Sequence, residues 1–262
     1  MYSFSKSALR EDILQSTRWL VRQPGVLATT RLYCFSYAGG NARSYLPWQA
    51  GLGGGIEVCA IELPGRGARF GERLYQAMPT LIADLNQVIA QSDDIPFAFF
   101  GHSLGALVAF ELARHRQRSG GPLPHHLFVS GCAAPQHRNP SRGLHRLPAA
   151  ELIDVLRQYQ GTPPEVLMHG ELMALLLPTI RADFALAEEY EYHPSPPLSV
   201  PLTVLTGKSD ERVSLAQAQG WAKETVLPCA VQLFEGGHFF IHDEMPEVLK
   251  CIRSQLDLMQ VA

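Results

Sequence analysis

Three features of the sequence predict an α/β fold, with a mostly parallel sheet and helices on both faces. Short apolar runs alternate with segments of helical spacing along most of the chain, as parallel strands and their crossover helices do. One run, Phe97-Ala98-Phe99-Phe100, leads into Gly101-His102-Ser103-Leu104-Gly105 and then an apolar helix over 106–114. The rhythm fails once, over residues 136–193, where helical segments follow one another with no strand between them.

The G-x-S-x-G stretch says most. A serine on a sharp turn between strand and helix needs neighbours without Cβ atoms, because both elements pass close to it. The helix N-terminus then lies beside Ser103, where its free N–H groups favour negative charge. The motif alone recurs by chance, and its bland reading is a glycine-bounded turn with an idle serine. A buried strand before it and a helix after it favour a nucleophile elbow.

The 262 residues suffice for a single domain with a full core, residues 136–193 forming a helical insertion within it. A net charge of −3 gives no basic surface for nucleic acid or an anionic membrane. No apolar run reaches the roughly 20 residues of a bilayer span, and residues 1–17 lack the apolar core of a signal peptide. Cys34, Cys59, Cys132, Cys229 and Cys251 sit in mostly apolar surroundings without metal-ligand spacing. They read as reduced core residues of a cytoplasmic protein.

Residues 1–30 read as a lead-in with helix near 12–21. A strand over 31–37 runs into Ala38-Gly39-Gly40-Asn41-Ala42, and a helix-like segment over 44–49 is interrupted by Pro47. The next strand, 57–63, ends at Pro64-Gly65-Arg66-Gly67-Ala68-Arg69. Two arginines on such a loop suit a phosphate, and equally a nearby carboxylate or solvent. Leu81, Ile82, Leu85, Val88 and Ile89 have helical spacing within 80–91. After the elbow helix, 127–131 is another strand. Within the insertion, helices are expected over 149–158, 165–177 and 178–190, the last two divided at Pro178. Met168, Met173, Leu175, Leu176, Leu177 and Phe184 line an acyl channel or pack the insertion onto the domain. Strands at 200–207 and 230–234 follow, with a helix ending over 221–225 between them and a terminal helix over 246–259.

The ends of the late strands supply the partners that a serine nucleophile needs. Lys208-Ser209-Asp210-Glu211 follows one and Glu235-Gly236-Gly237-His238-Phe239-Phe240 the other. A serine hydroxyl is a poor nucleophile at neutral pH; a histidine takes its proton, and a buried carboxylate fixes the imidazole tautomer. The order Ser103, Asp210, His238 is that of the α/β-hydrolase fold. The strand end at Gly131-Cys132-Ala133 offers no rival acid; Glu211 and then Asp243 are the alternatives to Asp210. His242, one helical turn beyond His238, is the nearest rival base. His102 is expected to point away from Ser103, and His137, His145, His169 and His193 lie in or beside the insertion. In that fold the oxyanion donors are the N–H after the nucleophile and one from the loop after an early strand. These are the Leu104 and Ala38 amides, unless Ala38-Gly39-Gly40 is a plain turn.

Several stretches together resemble the type II thioesterases of polyketide and nonribosomal peptide synthesis. They are Phe35-Ser36-Tyr37-Ala38-Gly39-Gly40, Leu63-Pro64-Gly65-Arg66, Gly101-His102-Ser103-Leu104-Gly105, Gly161-Thr162-Pro163-Pro164, Leu177-Pro178-Thr179-Ile180-Arg181-Ala182-Asp183-Phe184 and Gly236-Gly237-His238-Phe239-Phe240. Ser36 departs from the family pattern, which often has proline there. The resemblance implies an α/β-hydrolase whose insertion is a lid, with the triad at Ser103, Asp210 and His238 and oxyanion donors at Ala38 and Leu104. It implies a stand-alone editing enzyme, with no cofactor of its own, that hydrolyses acyl thioesters from the phosphopantetheine arm of carrier proteins. It assigns no role to Arg66 or Arg69. A monomer without nucleic-acid or membrane partners is expected. The alternatives are a carboxylesterase or acyltransferase acting on small acyl esters, and a hydrolase-fold scaffold without turnover.

Overall fold

Strand pairing organises the molecule. In the computed structural model, residues 18–23 and 26–259 are described. The strands in chain order are β1 (Leu20–Val21), β2 (Ala28–Phe35), β3 (Gly55–Ile61), β4 (Phe97–His102), β5 (Leu127–Ser130), β6 (Leu202–Gly207) and β7 (Cys229–Phe234). They form one seven-stranded sheet in the order β1-β3-β2-β4-β5-β6-β7. Every pairing is parallel except β1 with β3.

The central strands read as unbroken apolar runs because both of their faces are covered. Every residue of β4, β5 and β6 is buried. Alternation along the strands divides two cores. Tyr33, Phe35, Phe97 and Phe99 face one side, with α2 (Met78–Ala90) and α3 (Leu104–Ser119). Leu32, Cys34, Ala98 and Phe100 face the other, with α1 (Trp48–Leu52) and the terminal helix (Met245–Met259). The α2 stripe is the expected one: Leu81, Ile82, Leu85, Val88 and Ile89 are all buried. Gly120 ends α3 in the left-handed conformation that glycine tolerates, its N–H capping the Arg116 carbonyl.

Between β5 and β6 lie α4 (Ala149–Tyr159), α5 (Pro164–Met168) and α6 (Gly170–Glu188). Their apolar faces make a third cluster that includes Leu144, Leu152, Leu156, Leu167, Met173 and Leu177. After β6 come α7 (Leu215–Gln219) and a 3-10 turn over Gly220–Glu224; α8 (Phe240–Asp243) and the terminal helix, α9, follow β7.

Local expectation fails in three places. The helix expected near 12–21 holds at Arg18 and Trp19 and gives way to strand at Leu20–Val21, where pairing with Ile61 and Ala60 overrides local preference; residues 12–17 lie outside the described residues. The expected division at Pro178 is absent, since α6 runs through the proline and the break falls earlier, at His169. A proline removes one N–H from a helix, whereas Leu177, Ile180 and Phe184 all bury on the same continuing face. The helix expected to end over 221–225 ends earlier, at Gln219; 3-10 geometry takes over, and Thr225 is extended.

Candidate active site

The serine is held by steric necessity. β4 ends at His102, α3 begins at Leu104, and Ser103 between them has φ 54° and ψ −113°, which side chains rarely adopt. Its neighbours must be glycines: a Cβ on Gly101 would strike the Gly105 carbonyl, and one on Gly105 the Phe35 carbonyl. The Ser103 N–H donates to the Ser130 carbonyl at 2.8 Å, fixing the elbow to β5.

His238 and Asp210 meet across the ends of β6 and β7. His238 Nδ1 lies 2.8 Å from Asp210 Oδ2, with the carboxylate fully buried and the imidazole 8 % exposed. The other Asp210 oxygen accepts the Arg212 N–H at 2.9 Å. Burial alone would raise the Asp210 carboxyl. The His238 hydrogen bond and charge, the Arg212 N–H and the Arg212 guanidinium outweigh it and hold the group below its ordinary range. Asp210 is thus an ionised acceptor that orients the ring. Of the rivals, Glu211 and Asp243 are exposed, and His242 shares its Nε2 with the Tyr37 hydroxyl at 3.2 Å.

His102 packs against His238. It is fully buried, its Nδ1 is 2.9 Å from Ser130 Oγ, and its ring centre is 5.1 Å from that of His238. Burial first, then the neighbouring charges of His238, His242 and Arg212, keep its pKa well below the ordinary histidine value.

Ser103 and His238 stand where two cavities meet. The larger, about 750 Å³, has an apolar wall of Leu156, Val166, Leu167, Leu176, Phe184 and Phe239 and also carries Arg157 and His242. The smaller, about 420 Å³, carries Arg138, Arg142 and Arg212 with Asn139 and Ser141. Its one acid, Glu188, already accepts the backbone N–H groups of Arg142, Leu144 and His145 and pairs with the His145 ring. The Arg212 guanidinium stacks 3.2 Å from the Tyr159 ring centre, and both residues line both cavities. Of the apolar insertion residues, Leu176 and Phe184 face the larger cavity, Met173 and Leu177 pack inside the insertion, and Met168 and Leu175 are exposed.

Ala38 lines the larger cavity with Ser103, and Leu104 follows the serine in the chain. Leu104 opens α3, so its N–H has no partner within the helix. The Gly40 N–H closes a turn on the Tyr37 carbonyl at 2.9 Å, and among the described residues no acceptor takes the Ala38 N–H. Both loop arginines hold other groups. Arg66 grips Asp183 with two hydrogen bonds of 2.7 and 2.8 Å, and Arg69 lies on the Trp19 ring and pairs with Glu72. Sequence reasoning missed Asp183 and Arg212. A signal existed for Asp183: it sits on the apolar stripe of α6 between Ile180 and Phe184, where an acid needs a buried partner.

Known proteins agree with this geometry. The thioesterase domain family matches residues 30–256. The protein named linear gramicidin dehydrogenase LgrE, of Brevibacillus parabrevis, is 40 % identical over 95 % of this chain and 96 % of its own. The gramicidin S biosynthesis protein GrsT, of Aneurinibacillus migulanus, is 37 % identical over 94 % and 97 %. The type II thioesterase BorB of the borrelidin biosynthetic cluster superposes with a TM-score of 0.84 at 35 % identity, over 91 % of this chain and 97 % of its own. An α/β-hydrolase sheet, the serine elbow and these relatives lead to one conclusion: the chain belongs to the thioesterase domain family, among the type II thioesterases of nonribosomal peptide and polyketide clusters.

Proposed function

We infer that this protein hydrolyses acyl groups from the phosphopantetheine arm of carrier proteins, with Ser103 as nucleophile, His238 as acid–base and Asp210 as its orienting partner. The observation that carries this is the serine at the junction of two cavities, the larger with a wall of Leu156, Val166, Leu167 and Leu176 and the smaller with Arg138 and Arg142. An acylated arm offers an apolar acyl end and, beyond the thioester, a polar chain ending in a phosphodiester. The acyl group occupies the larger cavity, and the arm enters through the smaller, with its anionic end toward Arg142. The insertion over 136–193 is the lid that walls both.

The chemistry follows from the groups present. Ser103 Oγ attacks the thioester carbon as His238 takes its proton, and the oxyanion rests on the Ala38 and Leu104 N–H groups. The C–S bond breaks, and His238 returns the proton to the departing sulfur. Water, deprotonated by His238, then cleaves the Ser103 ester and releases the free acid. A thiol leaves more readily than an amine and needs less help from the acid, so release of the acyl-enzyme is the slower half. No cofactor enters either half. The loop after β2, Ala38-Gly39-Gly40-Asn41-Ala42-Arg43, opens a 3-10 turn, unlike the glycine-rich helix start that holds a dinucleotide.

The test is intact-protein mass spectrometry of an acyl-phosphopantetheinyl carrier protein treated with the native enzyme or with Ser103→Ala. Loss of the acyl mass with the native enzyme, slowed about 10⁴-fold or more in the variant, is expected. An untouched carrier together with rapid cleavage of a simple oxygen ester overturns this reading in favour of an esterase.

A further inference from the structure

The buried Arg66–Asp183 pair sits at a three-way junction that includes the turn over Ala38 and Gly39. Asp183 Oδ2 accepts the Gly39 N–H at 2.8 Å and Arg66 Nη1 at 2.8 Å, while Oδ1 accepts Arg66 Nη2 at 2.7 Å. Arg66 Nη1 also donates to the Gly40 carbonyl at 2.8 Å. The pair is sealed, with side chains 8 % and 3 % exposed. Thr179 on α6 donates to the Gly65 carbonyl at 2.9 Å, fixing the arginine's own loop to the same helix. A Cβ added to Gly39 would come within 3.1 Å of Ile180, so one turn of α6 forms the seat of this loop.

The turn's geometry shows what is being held. The Gly40 N–H to Tyr37 carbonyl bond closes a four-residue turn with Ala38 and Gly39 at its centre. Gly39 has φ +75°, the conformation of the third residue in a type II turn. Types I and II differ by a flip of the central peptide, here the one joining Ala38 to Gly39. That peptide's N–H is the one Asp183 holds, and Arg66 holds the Gly40 carbonyl, two peptides further on. Flipping it would leave a buried carboxylate short of a donor and turn the Ala38 carbonyl toward it; the two contacts therefore fasten the turn at Gly39 and Gly40, directly after Ala38.

We propose that Asp183 and Arg66 are positioning residues that anchor this turn at Gly39 and Gly40 and so hold Ala38 in place, its N–H toward the reacting carbonyl oxygen, with α6 seated on the sheet as the condition. The proposal rests on the thioesterase reading of the site and adds residues that never touch substrate. A charged pair that merely fastened the insertion would affect substrate binding and stability. A pair that sets an oxyanion donor changes affinity for the tetrahedral state instead.

The experiment measures hydrolysis of a short acyl-N-acetylcysteamine thioester and inhibition by the matching trifluoromethyl ketone, whose adduct with Ser103 carries the oxyanion. Arg66→Met/Asp183→Leu removes both charges together and avoids a lone buried ion. Asp183→Asn keeps the size and an oxygen for the Gly39 N–H but weakens the grip of Arg66. For the double variant, kcat falls about 10- to 100-fold, with KM within about threefold and the ketone weakened by the same factor as kcat. Asp183→Asn falls between it and the native enzyme. Ketone affinity and kcat within about threefold of native, or a loss confined to KM, overturns the proposal. If the double variant fails to fold, the same two readouts on Asp183→Asn decide. A native enzyme that ignores the thioester but cleaves its oxygen ester overturns the substrate reading alone, because the variants are then compared on the ester, whose oxyanion needs the same donors.

Discussion

The sheet and the insertion solve the same packing problem in different ways. In the sheet, Phe99 is fully buried between the ring edges of Tyr33 and Phe35, and every residue of β4, β5 and β6 is out of water. The insertion closes over eight buried side chains and leaves Met168 and Leu175 mostly in solvent. It is held to the rest by a few polar ties, among them Arg66 to Asp183, Thr179 to Gly65 and, at its base, Gln136 to the Gly220 carbonyl. The difference separates rigidity from access. The sheet fixes the strand ends that carry Ser103, Asp210 and His238, while a smaller core can loosen without disturbing them.

The largest effect should come from cutting each core once. Phe99→Ala is expected to cost about 3–5 kcal/mol in global urea unfolding. Leu152→Ala removes a side chain equally buried but in the smaller cluster. It should appear first as faster hydrogen exchange over 149–188, with a loss of about 2 kcal/mol or less in the global transition. Equal global losses with no local exchange would show that the two regions unfold as one.

Acid separates the regions further. His126 is buried beside Phe128 in the sheet, with Nε2 2.8 Å from Thr203 Oγ1, and burial pushes its pKa down to about 4. A histidine lowered from about 6.5 on folding contributes stability that is complete above pH 6.5 and lost as the pH falls toward 4. The loss amounts to roughly 2–3 kcal/mol at about 1.4 per pH unit, and fully buried His102 adds to it with the same sign. Glu188 in the insertion behaves otherwise. Burial raises it, but His145 and three backbone N–H groups more than compensate and hold it below the ordinary carboxylate range. Its contribution therefore disappears only at lower pH. Urea midpoints should fall between pH 6.5 and 4 in the native protein and fall less in His126→Gln; identical slopes would remove His126 from the account.

The smallest effect tests the elbow itself. Ser103→Gly removes a side chain from a backbone conformation that glycine adopts without strain. It should abolish turnover and raise stability by about 1 kcal/mol, a rise of a few degrees in Tm. A fall in Tm would mean that the serine side chain contributes more than its backbone costs.

What the sequence disclosed follows the range of the forces involved. The elbow was legible because its sterics are partly local: Gly101 must clear the Gly105 carbonyl within the motif itself, while Gly105 also answers to the distant Phe35 carbonyl. Asp210 and His238 were legible because each follows a strand in a parallel sheet, where strand ends converge. The β1 strand was not, since its two residues are strand only against Ile61 and Ala60, forty residues on. Pro178 misled because a local rule about prolines ignores the buried face that Leu177, Ile180 and Phe184 continue across it. The loop carrying Arg66 offered a phosphate or a carboxylate with no means of choosing, since Asp183 lies 117 residues away. Pair geometry of that reach belongs to the folded chain alone.

Pro178 also divides labour within α6. The half after it carries Thr179, Ile180 and Asp183, which are committed to Gly65, Gly39 and Arg66. The half before it owes nothing to that turn: Leu176 faces the larger cavity, and Leu175 is 57 % exposed. With no N–H at 178, the Ala174 carbonyl is released from the helical ladder, and the two halves can tilt separately. Inheritance can therefore act on them separately. Substitutions at 170–177 reshape the pocket for a new acyl chain while the chemistry one turn further on keeps its rate, so a gene for this fold can change its diet without relearning how to digest.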